Sequence, residues 1–320
     1  MSADRVVTGL EIDTIETDTI EDRDLPRWAS DLDIPGIFDV HVHFLPPAIL
    51  RRVWEYFDAA GPLTGREWPI TYRWSDEDRV AHLRSMGVLR WSSLPYAHKP
   101  DVANFLNDWA ADFAATYADT LWSATFFPEP DAAAYVREGI AAGVELYKVH
   151  VQVGDFDPTD ELLDEVWAAL SESGTPVVIH AGSGPAPGSY TGPELIARVL
   201  DRHPQLPAII AHMGMPEYTE FIELADRYAN VCLDTTMAFT DFSLAQAPFP
   251  DDLRPRLLDL QHKILLGSDF PNIPYVYAHQ IESQAWRFHA PSDVRTCPPG
   301  TRTWPTARRS SRARSNSTLP

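Results

Sequence analysis

Cysteine is almost missing from this chain. Cys232 and Cys297 are its two cysteines, too few for a disulfide scaffold, and neither sits in a CxxC pair. Positive charge is also scarce: 26 Lys and Arg stand against 46 Asp and Glu, a formal net charge of −20. That balance argues against wide contact with nucleic acid, because binding a polyanion needs basic surface. No apolar run approaches the roughly 20 residues that cross a membrane, and no hydrophobic leader follows Met1, so a soluble, cytoplasmic protein is expected. No segment recurs at a fixed period, which excludes a solenoid. The stretch GSGPAPGS (182–189) lacks the Lys-Ser/Thr of a phosphate-binding loop and reads as a flexible rim or lid.

What is present is a large apolar fraction, 44% of 320 residues, enough for a sizeable core in one domain. The ends differ from the middle. Residues 1–33 form an acidic segment, expected to be partly disordered, with Trp28 and Leu32 marking a short helix before the first strand. Residues 286–320 reverse the balance, carry seven arginines and no lysine or glutamate, and show no apolar period. This tail is expected to be irregular, basic and disordered.

Between the ends, residues 34–285 alternate short β-rich runs with helical spacers. The runs are GIFDVHVHF (36–44), VLRWSSLPY (88–96), LWSATFFP (121–128), ELYKVHVQV (145–153), PVVIHAG (176–182), PAIIAHMG (207–214), NVCLDTTM (230–237) and KILLGSDFP (263–271). Spacers such as DELLDEVWAALSESG carry apolar residues at helical spacing, acidic or proline starts and glycine ends. Eight such alternations predict an α/β fold, a parallel (β/α)₈ TIM barrel, with a doubly wound sheet as the alternative.

In a barrel of this kind the active site lies at the carboxyl ends of the strands. The unusual residues of this chain collect there. In DVHVHF, strand alternation puts Asp39, His41 and His43 on one face and Val40 and Val42 on the other. Two imidazoles about 7 Å apart along a strand can share a metal ion, but a catalytic site needs further ligands. His180 in VVIHAG and Asp269 in LLGSDFP supply them from distant strands, and His212 lies in IIAHMG. Asp269 can hold a metal and accept a proton, while neutral His212 can orient a nucleophile. Lys148 and His150 share parity in the fourth run, so Lys148 is expected to point inward, with His150 in the pocket. Tyr96 and His98 after the second run, Glu129, Ser183 and Thr235, Thr236 and Met237 are rim candidates. His82 and His203 read as surface and helix-end residues, and Asp39 as a bond to a neighbouring strand.

DVHVHF, VVIHAG, IIAHMG and LLGSDFP, in that order and spacing, resemble the amidohydrolase superfamily, and more narrowly the branch that includes aminocarboxymuconate-semialdehyde decarboxylase. The likeness spans roughly residues 35–285. It implies a barrel with one divalent metal, usually zinc, on residues matching His41, His43, His180 and Asp269, with His212 acting on the metal-activated water. Binuclear members carry a carboxylated lysine on the fourth strand, so a second metal on Lys148 is the alternative; otherwise Lys148 is a buried cation for an anionic substrate. Hydrolysis of a small-molecule substrate is the expected activity, non-oxidative decarboxylation of a small unsaturated or aromatic acid the runner-up, and a homodimer is allowed. Family members normally follow the last strand with a helix and an Asn-x-x-Arg-Leu closing segment. Here PYVYAHQIESQAWR is a plausible helix and the pattern then disappears. The expectation is a frameshifted C-terminus after Trp286, which would make a catalytically defective barrel the third reading; the rival is a genuine basic tail.

Overall fold

The computed structural model describes residues 20–288. Nine parallel strands alternate with helices: β1 (Ile37–Asp39), β2 (Val88–Ser92), β3 (Thr120–Leu121), β4 (Ser123–Thr125), β5 (Leu146–His150), β6 (Val177–His180), β7 (Ala208–Ile210), β8 (Cys232–Asp234) and β9 (Ile264–Leu265). The expected (β/α)₈ TIM barrel is the fold, its third strand interrupted at Trp122. At that break β1–β2–β3 and β4 through β9 separate into two hydrogen-bonded sets. Side chains carry the connection across it: Ser93 N donates to Ser123 Oγ at 3.1 Å and Ala97 N to Thr125 Oγ1 at 3.1 Å. The first and last strands meet through Val40 N to Leu266 O (3.0 Å), Asp269 N to His41 O (2.8 Å) and His43 N to Phe270 O (2.7 Å).

The helices form where caps and apolar spacing agree. Helix Glu161–Ser173 starts at Asp160, whose carboxylate accepts from Leu162 N at 2.9 Å, and stops at Gly174 with φ 71°. Its buried face, Leu163, Val166, Trp167 and Leu170, joins the same core cluster as Val177 and Ile179 of β6. Each such side chain contributes about 1.5–3 kcal/mol by leaving water.

Strand parity then divides the chain into an outer and an inner layer. Leu146, Val178, Ile209 and Ala211 form a cluster with Leu94 that contains no residue of the outer α-helices, so it fills the barrel interior. Lys148, His180 and Asp234 share that inward parity. In β1 Asp39 pairs with Trp91 of the outer core and accepts Tyr277 OH from the last helix, and Val42 and Phe44 join the same outer core.

The strands are shorter than the runs that encode them. Val151–Gly154 is a helical turn, and Ala211–Gly214 is a 3₁₀ turn rather than the end of β7. Leu25, in helix Leu25–Asp31, is fully buried beside Ile37, Val88 and Phe270. His82, expected at the surface, instead holds Asp22 Oδ2 at 2.8 Å together with Tyr72 OH at 2.6 Å. Helix Tyr277–Phe288 realises the expected last helix. The expected basic tail and frameshift fall, from residue 289 on, outside the described residues. No described helix is long and apolar enough to cross a membrane.

Candidate active site

The candidate side chains surround the carboxyl mouth of the barrel, arriving from different strands. Their rings form a closed circuit: His41 to His43 (5.1 Å between centroids), His43 to Tyr96 (5.4 Å), Tyr96 to His150 (5.5 Å), His150 to His180 (3.8 Å), His180 to His212 (4.6 Å) and His212 to His41 (5.1 Å). Lys148 is fully buried beneath it, with Nζ 3.4 Å from His41 Nε2.

The backbone fixes which ring nitrogen carries the proton. His43 Nδ1 donates to Leu94 O at 2.8 Å, His212 Nδ1 to Thr236 O at 3.2 Å, and His41 Nδ1 to Asp234 Oδ2 at 2.8 Å. Carbonyls and carboxylates only accept, so each neutral ring presents an unprotonated Nε2. His43 Nε2 lies 2.9 Å, and His41 Nε2 3.7 Å, from Asp269 Oδ1. A lone pair facing a carboxylate oxygen is stabilised only by a shared proton or a shared cation. Ligand atoms of His41, His43 and Asp269 lie within 4.8 Å of one another, and this donor set of imidazoles and carboxylate fits a divalent transition ion. His180 stands outside that trio. Its Nε2 donates to Gly184 O at 2.9 Å, so Nδ1 is its free lone pair.

Electrostatics keep these groups in ligand form. Burial drives the His41 ring down to about 3, Lys148 adding to the effect and Asp234 opposing it. Burial likewise lowers His180 and His212. Burial pushes the Asp269 carboxyl up, but contact with His43 and the fields of His41 and His212 outweigh it and hold Asp269 below the ordinary carboxylate range. Burial brings Lys148 down to about 8 against the pull of Asp234 and Asp269.

Two features escaped the sequence reading. Asp234 is the hub: beside His41 Nδ1 it accepts His212 N at 2.9 Å and Thr236 N at 3.1 Å through Oδ1. Only its inward parity with Cys232 in β8 marked it among the three polar residues of DTT. The second is backbone strain. His212 (φ 54°), Met213 (55°), Met237 (59°) and Asp269 (70°) all adopt left-handed conformations, which non-glycine residues hold only where surrounding structure enforces them. For His212 the reason is geometric: Ile209 and Ala211 point inward, so a continued strand would send His212 outward, and the turn reverses it.

The other candidates are accounted for. Asp39 bridges to the last strand through Ser268 Oγ (2.6 Å) and accepts Tyr277 OH (2.9 Å), burial raising it to about 7 against those donors. Glu129 accepts Asp101 N and Tyr135 OH, a structural role. His98 is exposed.

Comparisons with known proteins agree on the fold. An uncharacterized TIM-barrel protein from Bordetella bronchiseptica is 21% identical, covering 80% of this chain and 92% of its own, with a TM-score of 0.62. A 5-carboxyvanillate decarboxylase from Novosphingobium aromaticivorans, complexed with manganese and a nitrobenzoic acid, is 14% identical over 78% of this chain and 88% of that one, at 0.51. A probable 2-pyrone-4,6-dicarboxylic acid hydrolase from Acinetobacter baumannii with citric acid bound is 13% identical over 79% and 92%, at 0.50. No curated protein matches. The family profile described as Amidohydrolase matches residues 38–302, most of the chain, and with the His-His-Asp group at the barrel mouth it leads to one conclusion: the chain belongs to the amidohydrolase family, whose enzymes are metal-dependent.

Proposed function

We propose that the chain is a metal-dependent hydrolase of a small molecule, with one divalent ion, zinc by donor type, held by His41, His43, His180 and Asp269. The observation that carries this is the convergence of the His41, His43 and Asp269 ligand atoms within 4.8 Å. Such an ion, when bound, supplies Lewis acidity to water or to a substrate oxygen. Asp269, kept ionised, accepts the proton that attacking water loses. His212 Nε2, unprotonated because Nδ1 is bonded to Thr236 O, accepts a hydrogen bond from that water and aims it. His180 offers Nδ1 from the opposite side of the ring circuit. One ion is favoured over two, because the described residues bring one such group together and the Lys148 amine already meets His41. A bridging carboxylated Lys148 is the alternative.

Elemental analysis of purified full-length protein tests the reading. About one equivalent of zinc is expected, and less than about half, or no loss in His41→Ala, would count against it. Once a substrate is found, His212→Ala should retain zinc and lose on the order of 10²–10⁴-fold in rate. Non-oxidative decarboxylation is the rival, favoured by the buried Lys148 cation, which suits a carboxylate. Incubation in ¹⁸O-water separates them: label in the product marks hydrolysis, and carbon dioxide release without it marks the lyase.

A further inference from the structure

Between the carboxyl end of β1 and the first wall helix, Asp76–Ser85, the chain makes a long excursion built on helix Pro47–Asp58 and the turn Gly61–Thr64. It is braced internally. Trp68 stacks on Phe57 with ring centroids 4.7 Å apart, Thr64 Oγ1 donates to Arg66 O at 2.7 Å, and Arg73, just beyond, pairs with Asp58 at 2.9 Å. Fully buried Tyr72 anchors its far end. Its hold on the last strand's connection converges on one residue. Asn272, buried three positions beyond Asp269, accepts Trp54 Nε1–H at 3.1 Å on its side-chain oxygen and Trp68 Nε1–H at 2.7 Å on its main-chain oxygen. An indole only donates, so the amide must turn its oxygen to Trp54. The Asn272 N–H donates to Asp269 O at 2.9 Å. Trp68 also meets Phe242, beyond β8, with centroids 4.8 Å apart. Residues 47–68 therefore lie across the β8–β9–β1 side of the barrel mouth, beside the segments that carry His41, His43 and Asp269.

We propose that Asn272 is a positioning residue that latches residues 47–68, as a cover, to the loop of Asp269, so that closure of the cover and retention of the ion strengthen one another. This rests on the metal reading above and adds its gate. Asp269 holds a left-handed backbone (φ 70°), which persists where its surroundings enforce it. Its N–H is bonded to His41 O at 2.8 Å and its carbonyl to Asn272 N. With the Asp269 carboxylate held by an ion against His41 and His43, this turn is fixed, and both Asn272 oxygens stay where the two indoles need them. Linkage makes the reverse true: indoles seated on Asn272 keep Asp269 in its ligand conformation, and each event favours the other by the same factor.

Hydrogen exchange of the full-length protein with and without zinc reads the latch. Zinc should slow exchange in residues 47–68 about fivefold more than in helix Ala132–Ala142, which carries no proposed ligand. Release of zinc to excess chelator is the second readout. Trp54→Phe and Asn272→Ala each remove the same bond and should speed release about two- to tenfold, the range of one neutral hydrogen bond. Because that bond is shared, the double variant should release zinc about as fast as the faster single one. Trp54→Phe combined with Trp68→Phe, which loses both bonds, should erase the extra protection of the cover. Trp74→Phe removes a neighbouring indole that makes no hydrogen bond to Asn272 and should match the parent. Zinc equivalents should stay at about one throughout, since no ligand is changed. Equal zinc protection of the cover and the control helix, release from Trp54→Phe and Asn272→Ala at the parent's rate, or effects of those two that add in the double variant would overturn the proposal. A parent that takes up less than about half an equivalent of zinc would sink the metal reading and the latch with it, whereas full zinc with an unresponsive cover sinks the latch alone.

Discussion

At the scale of single residues, Asp234 organises more of the site than any expected ligand. One carboxylate orients the His41 ring and pins the backbone of His212 and Thr236. Asp234→Asn keeps the shape but replaces a full charge with an amide. Partners that orient metal-binding histidines typically contribute 10–100-fold to affinity. Zinc affinity measured against a competing chelator should fall by about that factor, and an unchanged affinity would remove Asp234 from the site. Legibility at this scale followed a simple rule. His41 and His43 interrupt an apolar run at every second position, His180 closes one and Asp269 follows one within three residues, so polar side chains there stood out. Asp234 did not, because DTT offers three polar residues in a row and only the strand start, fixed by pairing of Ile209 with Cys232, decides which of them faces inward.

At the scale of elements, the turn Ala211–Gly214 aims His212. Gly214 has φ 77°, and a Cβ there would lie 2.0 Å from Phe221 Cδ2. Gly214→Ala should destabilise by roughly 2–5 kcal/mol, combining left-handed strain with displacement of the ring. Chemical denaturation reads that loss, and zinc equivalents should persist because His212 is not a proposed ligand. A second element, the segment around Asp22, straps the amino-terminal side of the chain to helix Tyr277–Phe288 through Ala278 N at 2.8 Å. Burial raises the Asp22 carboxyl, but hydrogen bonds from His82, Tyr72 and Ala278 outweigh it and leave it below its ordinary 3.8. A depressed carboxyl adds stability above its unfolded value and loses it as pH falls through the folded one. The melting-temperature gap between wild type and Asp22→Asn should therefore be constant above about pH 5 and shrink as pH drops below about 4. A gap that widens in acid would contradict this. Neither element was legible in sequence. A histidine in AHMG looks like a strand end until inward parity is assigned, and His82 on a polar helix gives no hint that Asp22 returns to meet it across 60 positions.

At the scale of the molecule, the proposed metal site joins the first and last strands of the barrel, since His41, His43 and Asp269 come from opposite ends of the described chain. Binding an ion there should tighten closure of the whole fold. With free zinc a thousandfold above its dissociation constant, the stabilisation is about 4 kcal/mol. For a domain of this size that is roughly 8–16 °C in melting temperature. Differential scanning fluorimetry with zinc and with chelator should show the gap, and His41→Ala should abolish it. By itself the sequence determined the barrel and marked the candidate residues at its mouth, because both follow from local rules: alternation within a strand, caps on a helix, and polar residues near strand ends. Only the tertiary structure decided how those residues meet. The Asp234 hub, the reversal of His212 and the tautomer of His43 depend on hydrogen bonds between segments far apart in the chain. No local pattern encodes those partners, and only the barrel brings them to within 2.8 to 3.2 Å.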